Sequence, residues 1–291
     1  MDIPPGKVFF PTGFQELFSS WSSNPDAVLC AGGTEHIRNQ NSRIPALPRK
    51  IISLDNIEEL QKISRSERYL EIGSMVKLSQ IIHLGKIVPE VLIRCLENIA
   101  GPQIRSQATI GGNICSSMAR LDTSAPMIAL DAQYELRSSQ SVRWVSASRF
   151  SSQPGPLKLA RQECLTRIRV PLEPWTFTWY SKLNFSLASR PGGCILLILR
   201  NQKDILTDIR VLYSSQAILR EKNAESMLMG KHLPLDHRDA SAFVDAWKGY
   251  LSSMQDGGNP VFSGEYGNLS PDLIKAQILR FIESTLLHIS D

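Results

Sequence analysis

The chain has 291 residues, of which 42% are apolar, 21% charged and 7% aromatic, a balance that excludes a disordered or collagen-like protein. Thirty-two Lys+Arg against 28 Asp+Glu leave a formal charge of +4, spread without a dense basic run, so binding of nucleic acid is not expected. The cysteines Cys30, Cys95, Cys115, Cys164 and Cys194 include no Cys-x-x-Cys, which reads as reduced thiols and argues against an iron–sulfur cluster or structural zinc on this chain. The N-terminus has neither the basic nor the apolar region of a signal peptide. The most apolar run, Cys194 to Leu199, is too short to span a bilayer. A cytoplasmic chain with no membrane segment is expected.

In chain order, Phe14, Leu17, Phe18 and Trp21 form one apolar stripe at helical spacing. Ala27 to Ala31 and Lys50 to Leu54 are short apolar runs bounded by Pro, Gly and Asn, and so read as buried strands. Their order with the helix predicts a small parallel βαβ layer. Tyr69 to Gly73 is strand-like, and Lys77 to Leu84 and Glu90 to Ala100 are amphipathic helices. Gln133 to Arg137 and Ser141 to Val145 read as a hairpin. After Pro171 and Pro174 the pattern changes to three strands, over Thr176 to Leu183, Gly193 to Arg200 and Ile205 to Tyr213. Three helices follow, over Glu221 to Met229, Asp236 to Met254 and Ser270 to Ser290, the last with Pro271 at its first position. Strands followed by helices predict an α+β domain.

Two glycine pairs carry the chemistry. Ala31, Gly32, Gly33, Thr34 and Glu35 follow a predicted strand, and Thr109, Ile110, Gly111, Gly112 and Asn113 follow a polar loop. Paired glycines let successive N–H groups turn to one point and let the backbone approach a phosphate closely, so two such loops suit a pyrophosphate. Either pair alone is more often just a turn, since neither is Gly-x-Gly-x-x-Gly nor a phosphate loop with lysine.

The stretch from Gly101 to Cys115, GPQIRSQATIGGNIC, with LDTSAPMIALDA from Leu121 to Ala132, resembles the flavin-binding subunit of the molybdenum hydroxylases, the xanthine dehydrogenase and aerobic carbon monoxide dehydrogenase relatives. Ala31 to Thr34 matches that family's first loop. Leu70 to Ser74, Glu163 to Pro171, Ile205 to Arg210 and Ala224 to Lys231 continue the likeness in order, so that it covers nearly the whole chain.

The resemblance implies an α/β plus α+β fold, with an FAD-binding domain of two α/β subdomains over residues 1–172 and a small C-terminal α+β domain over 173–291. It implies FAD held by Ala31, Gly32, Gly33, Thr34 and Glu35 and by Thr109, Gly111, Gly112 and Asn113. Asp122 matches the family's FAD-contacting aspartate, and is otherwise a helix N-cap; a flavin or ribityl hydroxyl suits its carboxylate better than phosphate does. Lys182 matches a lysine near the flavin, and is otherwise a solvated strand residue. Leu165 matches an apolar contact, otherwise core, and Ile99 falls where relatives place a ring-stacking aromatic. Arg105 is read as an ion-pair or capping residue.

The implied role is an FAD-carrying electron-transfer subunit of a multi-subunit molybdenum hydroxylase of the xanthine dehydrogenase type. A molybdenum-cofactor large subunit and a [2Fe-2S] small subunit are the partners, molybdopterin and cluster lie on them, and electrons leave to NAD+ or another acceptor. Two rival readings stand beside it: a stand-alone FAD-dependent oxidase or reductase, and a structural subunit with a decayed flavin site. The sequence departs from the family pattern at Glu35, over Met118 to Leu121, and over Arg190 to Gly193.

Overall fold

A computed structural model describes residues 6–38, 47–116, 123–151, 158–183, 193–215, 217–254 and 271–290. The chain opens with β1 (Lys7–Phe9), α1 (Phe14–Ser23), β2 (Val28–Cys30), α2 (Thr34–Arg38) and β3 (Lys50–Ser53). β3 lies between β1 and β2 and pairs with both in parallel, which is the βαβ layer the spacing predicts. The helical stripe of α1 buries Leu17 and Phe18 in a cluster with Ile52 and Leu54.

Next come β4 (Ile63–Arg65), β5 (Tyr69–Gly73), α3 (Leu78–His83), α4 (Glu90–Glu97), α5 (Pro102–Arg105), α6 (Ile110–Ile114) and α7 (Ser124–Ala129). They are followed by β6 (Gln133–Arg137), β7 (Val142–Ser146), α8 (Ala147–Ser151) and β8 (Cys164–Pro171). The sheet order is β4-β5-β8-β6-β7, antiparallel throughout, with the last strand in sequence inserted at the centre. Its alternation explains the placement. Ile168 and Val170 are buried, while Arg167 and Arg169 reach across the other face to Glu71 of β5 at 3.0 and 2.7 Å.

The chain then passes to a four-stranded antiparallel sheet, β9 (Phe177–Leu183), β10 (Gly193–Gln202), β11 (Ile205–Ser214) and β12 (Ile218–Leu219), in the order β12-β11-β10-β9. Lys203 and Asp204 turn β10 into β11 with φ of 50° and 63°, the left-handed pair that matches strand twist. β10 is covered on both faces, which accounts for its unbroken apolar run. Cys194, Leu196 and Ile198 join the core of α4 and α7, whereas Ile195, Leu197 and Leu199 face α10 and α11. Those helices are α10 (His237–Ser253) and α11 (Pro271–Ser290), preceded by α9 (Lys222–Leu228). The Asp236 carboxylate caps α10 by accepting from the N–H groups of Arg238 and Asp239. Among the described residues no helix is long and apolar enough to cross a membrane.

Candidate functional site

The two glycine loops meet. A Cβ on Gly32 would lie 2.1 Å from the carbonyl oxygen of Gln107, and one on Gly112 would lie 3.4 Å from Cβ of Ala31. Gly111 is pressed against the turn after β5, where a Cβ would fall 2.5 Å from Cβ of Ser74. Gly33 adopts φ of 67°, the left-handed conformation that lets the chain turn from β2 into α2. Glycine at these places is what allows backbone to touch backbone. A hydrogen bond then ties the loops together, the Ser116 hydroxyl donating to Oε1 of Glu35 at 2.6 Å.

The two loops differ in what they leave free. In the second, the N–H of Ile110 donates to the Val76 carbonyl at 3.0 Å and that of Gly111 to the Ser74 carbonyl at 2.8 Å. Gly112 donates to Oγ1 of Thr109 at 3.0 Å, so Thr109 serves as the N-cap of α6. Asn113 donates to the Thr109 carbonyl, and its side-chain oxygen accepts from the Thr123 hydroxyl. The second loop therefore spends its donors on its own architecture. In the first, the N–H groups of Gly33, Thr34 and Glu35 have no hydrogen-bond partner among the described residues, as befits the first turn of a helix. Ser74 adds a buried hydroxyl, 3% exposed and without a partner among the described residues.

The glycines of both loops, with Ser74 and Ser116, line one cavity of about 520 Å³. Ala31, Gly32, Gly33, Thr34, Glu35, Thr109, Gly111, Gly112, Asn113 and Leu165 are in its wall. Trp21, Leu54, Ser74, Ser116, Gln162 and Glu163 share that wall and are not among the site residues that the sequence points to. They arrive from α1, from the turns after β3 and β5, from the end of α6 and from the segment before β8, regions far apart along the chain. Cys115 and Cys164 also line the cavity, and burial pushes both thiols up to about 12, which makes them neutral, apolar wall. The Glu163 carboxylate is engaged by Arg143 at 2.6 and 2.7 Å. A polar ligand with closely spaced oxygens fits the orphaned Ser74 hydroxyl and the open donors of the first loop.

Ile99 and Lys182 lie outside the cavity wall, and Lys182 reaches the residue just before Ile99. Nζ of Lys182 on β9 donates to the carbonyl of Asn98 at 3.0 Å. Arg105 donates to the carbonyls of Glu97, Ile99 and Ala100 at 3.1, 2.9 and 2.7 Å, the capping role foreseen for it. Asp122 lies outside the described residues. Among the described residues no group of three or more His, Cys, Asp or Glu could hold a metal ion.

Residues 4–173 match the family model described as the FAD binding domain in molybdopterin dehydrogenase. The chain is 35% identical over 160 residues to the xanthine dehydrogenase FAD-binding subunit of Escherichia coli O157:H7, a stretch that covers 53% of each chain. The match thus spans about half the length of that relative. It is 24% identical over 290 residues to the nicotine 6-hydroxylase medium subunit of Paenarthrobacter nicotinovorans, covering 96% of this chain and 98% of that one. The fold is similar to that in the crystal structure of quinoline 2-oxidoreductase from Pseudomonas putida 86, with TM-score 0.82, 23% identity and coverage of 100% and 98%. Carbon monoxide dehydrogenase from Hydrogenophaga pseudoflava gives TM-score 0.81 at 24% identity, over 98% and 96%. These likenesses carry the α/β plus α+β fold over the whole chain.

Proposed function

Because the chain belongs to the family of FAD-binding domains of molybdopterin dehydrogenases, we propose that it is the FAD-carrying electron-transfer subunit of a multi-subunit molybdenum hydroxylase. The observation that carries the reading is the pair of glycine loops, locked in contact around one cavity with open donors on the first loop. When bound, FAD supplies the electron-transfer chemistry of the flavin ring, and the protein supplies binding, orientation and electrostatics.

In this reading the N–H groups of Gly33, Thr34 and Glu35 hold the pyrophosphate, with the Ser74 hydroxyl as a further donor. Thr109, Gly111, Gly112 and Asn113 form the rigid shelf on which the first loop rests, and Leu165 shields the site from water. Ile99 and Lys182 are assigned to the flavin ring and Asp122 to a flavin or ribityl hydroxyl. Support for the first two is that the carbonyl held by Lys182 belongs to the residue just before Ile99. The FAD-binding domain is taken as residues 1–172 and the C-terminal domain as 173–291.

The finer reading is a cytoplasmic complex of the xanthine dehydrogenase type. Its molybdenum-cofactor large subunit oxidises the substrate, its [2Fe-2S] small subunit relays the electrons, and NAD+ or another acceptor removes them from this chain. Little substrate oxidation is then expected from this chain alone. The full-length chain, titrated with FAD and followed by its visible absorption, is expected to take up one flavin, identified as FAD after release and HPLC. A chain that takes up no FAD, alone or co-expressed with its partner subunits, overturns the reading.

A further inference from the structure

A groove of about 580 Å³ lies between α1 and the turn that joins β6 to β7, and it shares no lining residue with the cavity of the glycine loops. Its walls carry one cation, Arg137, and no carboxylate. Phe14 and Phe18 of α1 form an apolar side with Val142, which begins β7 and is 49% exposed. Ser19, Ser22 and Ser139 add hydroxyls that are not spent on hydrogen bonds among the described residues.

Arg137 closes the hairpin opposite Val142. Its guanidinium lies over the Phe14 ring, 4.2 Å from the centroid, a contact that orients the group. Nε is shut off from solvent without a hydrogen-bond partner, and the side chain makes no ion pair among the described residues. Arg200, Arg210 and Arg220, intermediate in exposure like Arg137, each hold a carboxylate within 3.5 Å. A guanidinium taken partly out of water without a counter-charge costs free energy, and a bound anion offsets that cost. The turn beside it is already built. The Ser138 N–H donates to the Ser141 carbonyl at 2.9 Å, and the Ser138 hydroxyl accepts from the Ser141 N–H at 3.1 Å.

The volume of the groove falls within the roughly 300–1,000 Å³ that takes a small organic molecule. A bare phosphate or carboxylate at Arg137 would leave the side formed by Phe14, Phe18 and Val142 uncovered. We propose that this groove is a second binding site, for a small organic anion. Its carboxylate or phosphate meets the Arg137 guanidinium, and its apolar ring or chain lies along the phenylalanines. The site stands independently of the FAD reading.

The full chain, in a buffer free of phosphate and carboxylate, is titrated calorimetrically with phenyl phosphate, benzoate, inorganic phosphate and benzyl alcohol. Phenyl phosphate or benzoate is expected to bind. Inorganic phosphate is expected to bind more weakly, because it leaves the apolar side empty, and uncharged benzyl alcohol least of all. Arg137→Gln is expected to weaken the organic anion by about 10- to 150-fold, the loss of one charge-assisted contact. Arg137→Lys is expected to recover only part of this, because an ammonium has neither the fork nor the flat face. In the parent chain, phenyl phosphate is expected to protect Arg137 from modification by phenylglyoxal, read by peptide mass spectrometry. That readout stands even where Arg137→Gln fails to fold. Organic anions that do not bind, that bind Arg137→Gln equally well, or that leave Arg137 unprotected overturn the site. Inorganic phosphate bound as tightly as phenyl phosphate means an adventitious ion only, and overturns it too. A parent chain that binds none of these anions, with a folded Arg137→Gln chain that no longer assembles with its partner subunits, gives Arg137 to a partner's carboxylate and overturns the small ligand.

Discussion

Gly32 has no room for even one more carbon atom: the Gln107 carbonyl would stand 2.1 Å from its Cβ. That contact is between backbones, so nothing flexible can swing aside. Gly32→Ala is therefore expected to lower stability by about 1–3 kcal/mol, read from urea denaturation, and to weaken FAD binding because the loops separate. Gly249→Ala is the matched comparison. It lies on an exposed part of α10 where a Cβ meets nothing within 4 Å, and is expected to raise stability by about 0.5–1 kcal/mol. A Gly32→Ala chain as stable as the parent would show that the loops do not pack as described. The same residue shows what spacing can and cannot reveal. A Gly-Gly pair announces a place where backbone approaches something; that the something is Gln107 rather than a ligand is settled only by the path of the chain between residues 74 and 109.

At the scale of elements, the cavity wall before β8 is pinned to β7 by one ion pair. Arg143 holds the Glu163 carboxyl below the ordinary glutamate range, against the opposing effect of burial, and the Ala160 N–H helps. Because the folded value is depressed, the stabilisation is whole above the ordinary value of 4.5 and is lost as the pH falls through the lowered folded value. Arg143→Met is expected to cost about 1–2 kcal/mol near pH 7, a modest figure because Arg143 is half exposed, and to lose less stability than the parent on acidification to about pH 3. Equal acid sensitivity of parent and variant would assign the effect to other carboxylates. The C-terminal turn of α4 is secured in a similar way, by Arg105 and Lys182 on four successive carbonyls from Glu97 to Ala100. Cations suit the negative end of a helix. The motif likeness led to Lys182, but its contact with Asn98 depends on β9 packing across α4, which no local pattern encodes.

For the molecule as a whole, the telling feature is the double-faced strand β10. Its even-numbered residues Cys194, Leu196 and Ile198 share a core with α4 and α7, and Arg210 of β11 adds hydrogen bonds to Asp131 and to the Ala129 carbonyl. The segments on either side of the proposed boundary at residue 172 thus bury one another. The full chain is expected to unfold in a single urea transition, coincident by tryptophan fluorescence and far-UV circular dichroism. Residues 1–172 alone are expected to be insoluble or to bind an apolar dye such as ANS. Two well-separated transitions would contradict the shared core. Periodicity, turn residues and the order of the apolar runs were enough, read from the sequence, to indicate the helices α1, α4, α10 and α11, the parallel layer and the strands β9 to β11, because each depends on the spacing of neighbours along the chain. The likeness of the glycine motifs to a known family pointed to the cofactor, whereas the motifs by themselves mark only backbone that comes close to something. Only the tertiary structure decided that β8 enters the centre of its sheet, that the second glycine loop spends its donors internally, and that Trp21, Ser74 and Gln162 complete the cavity. These depend on contacts between residues far apart in sequence, whose energy comes from packing and hydrogen bonds that exist only once the chain has closed on itself.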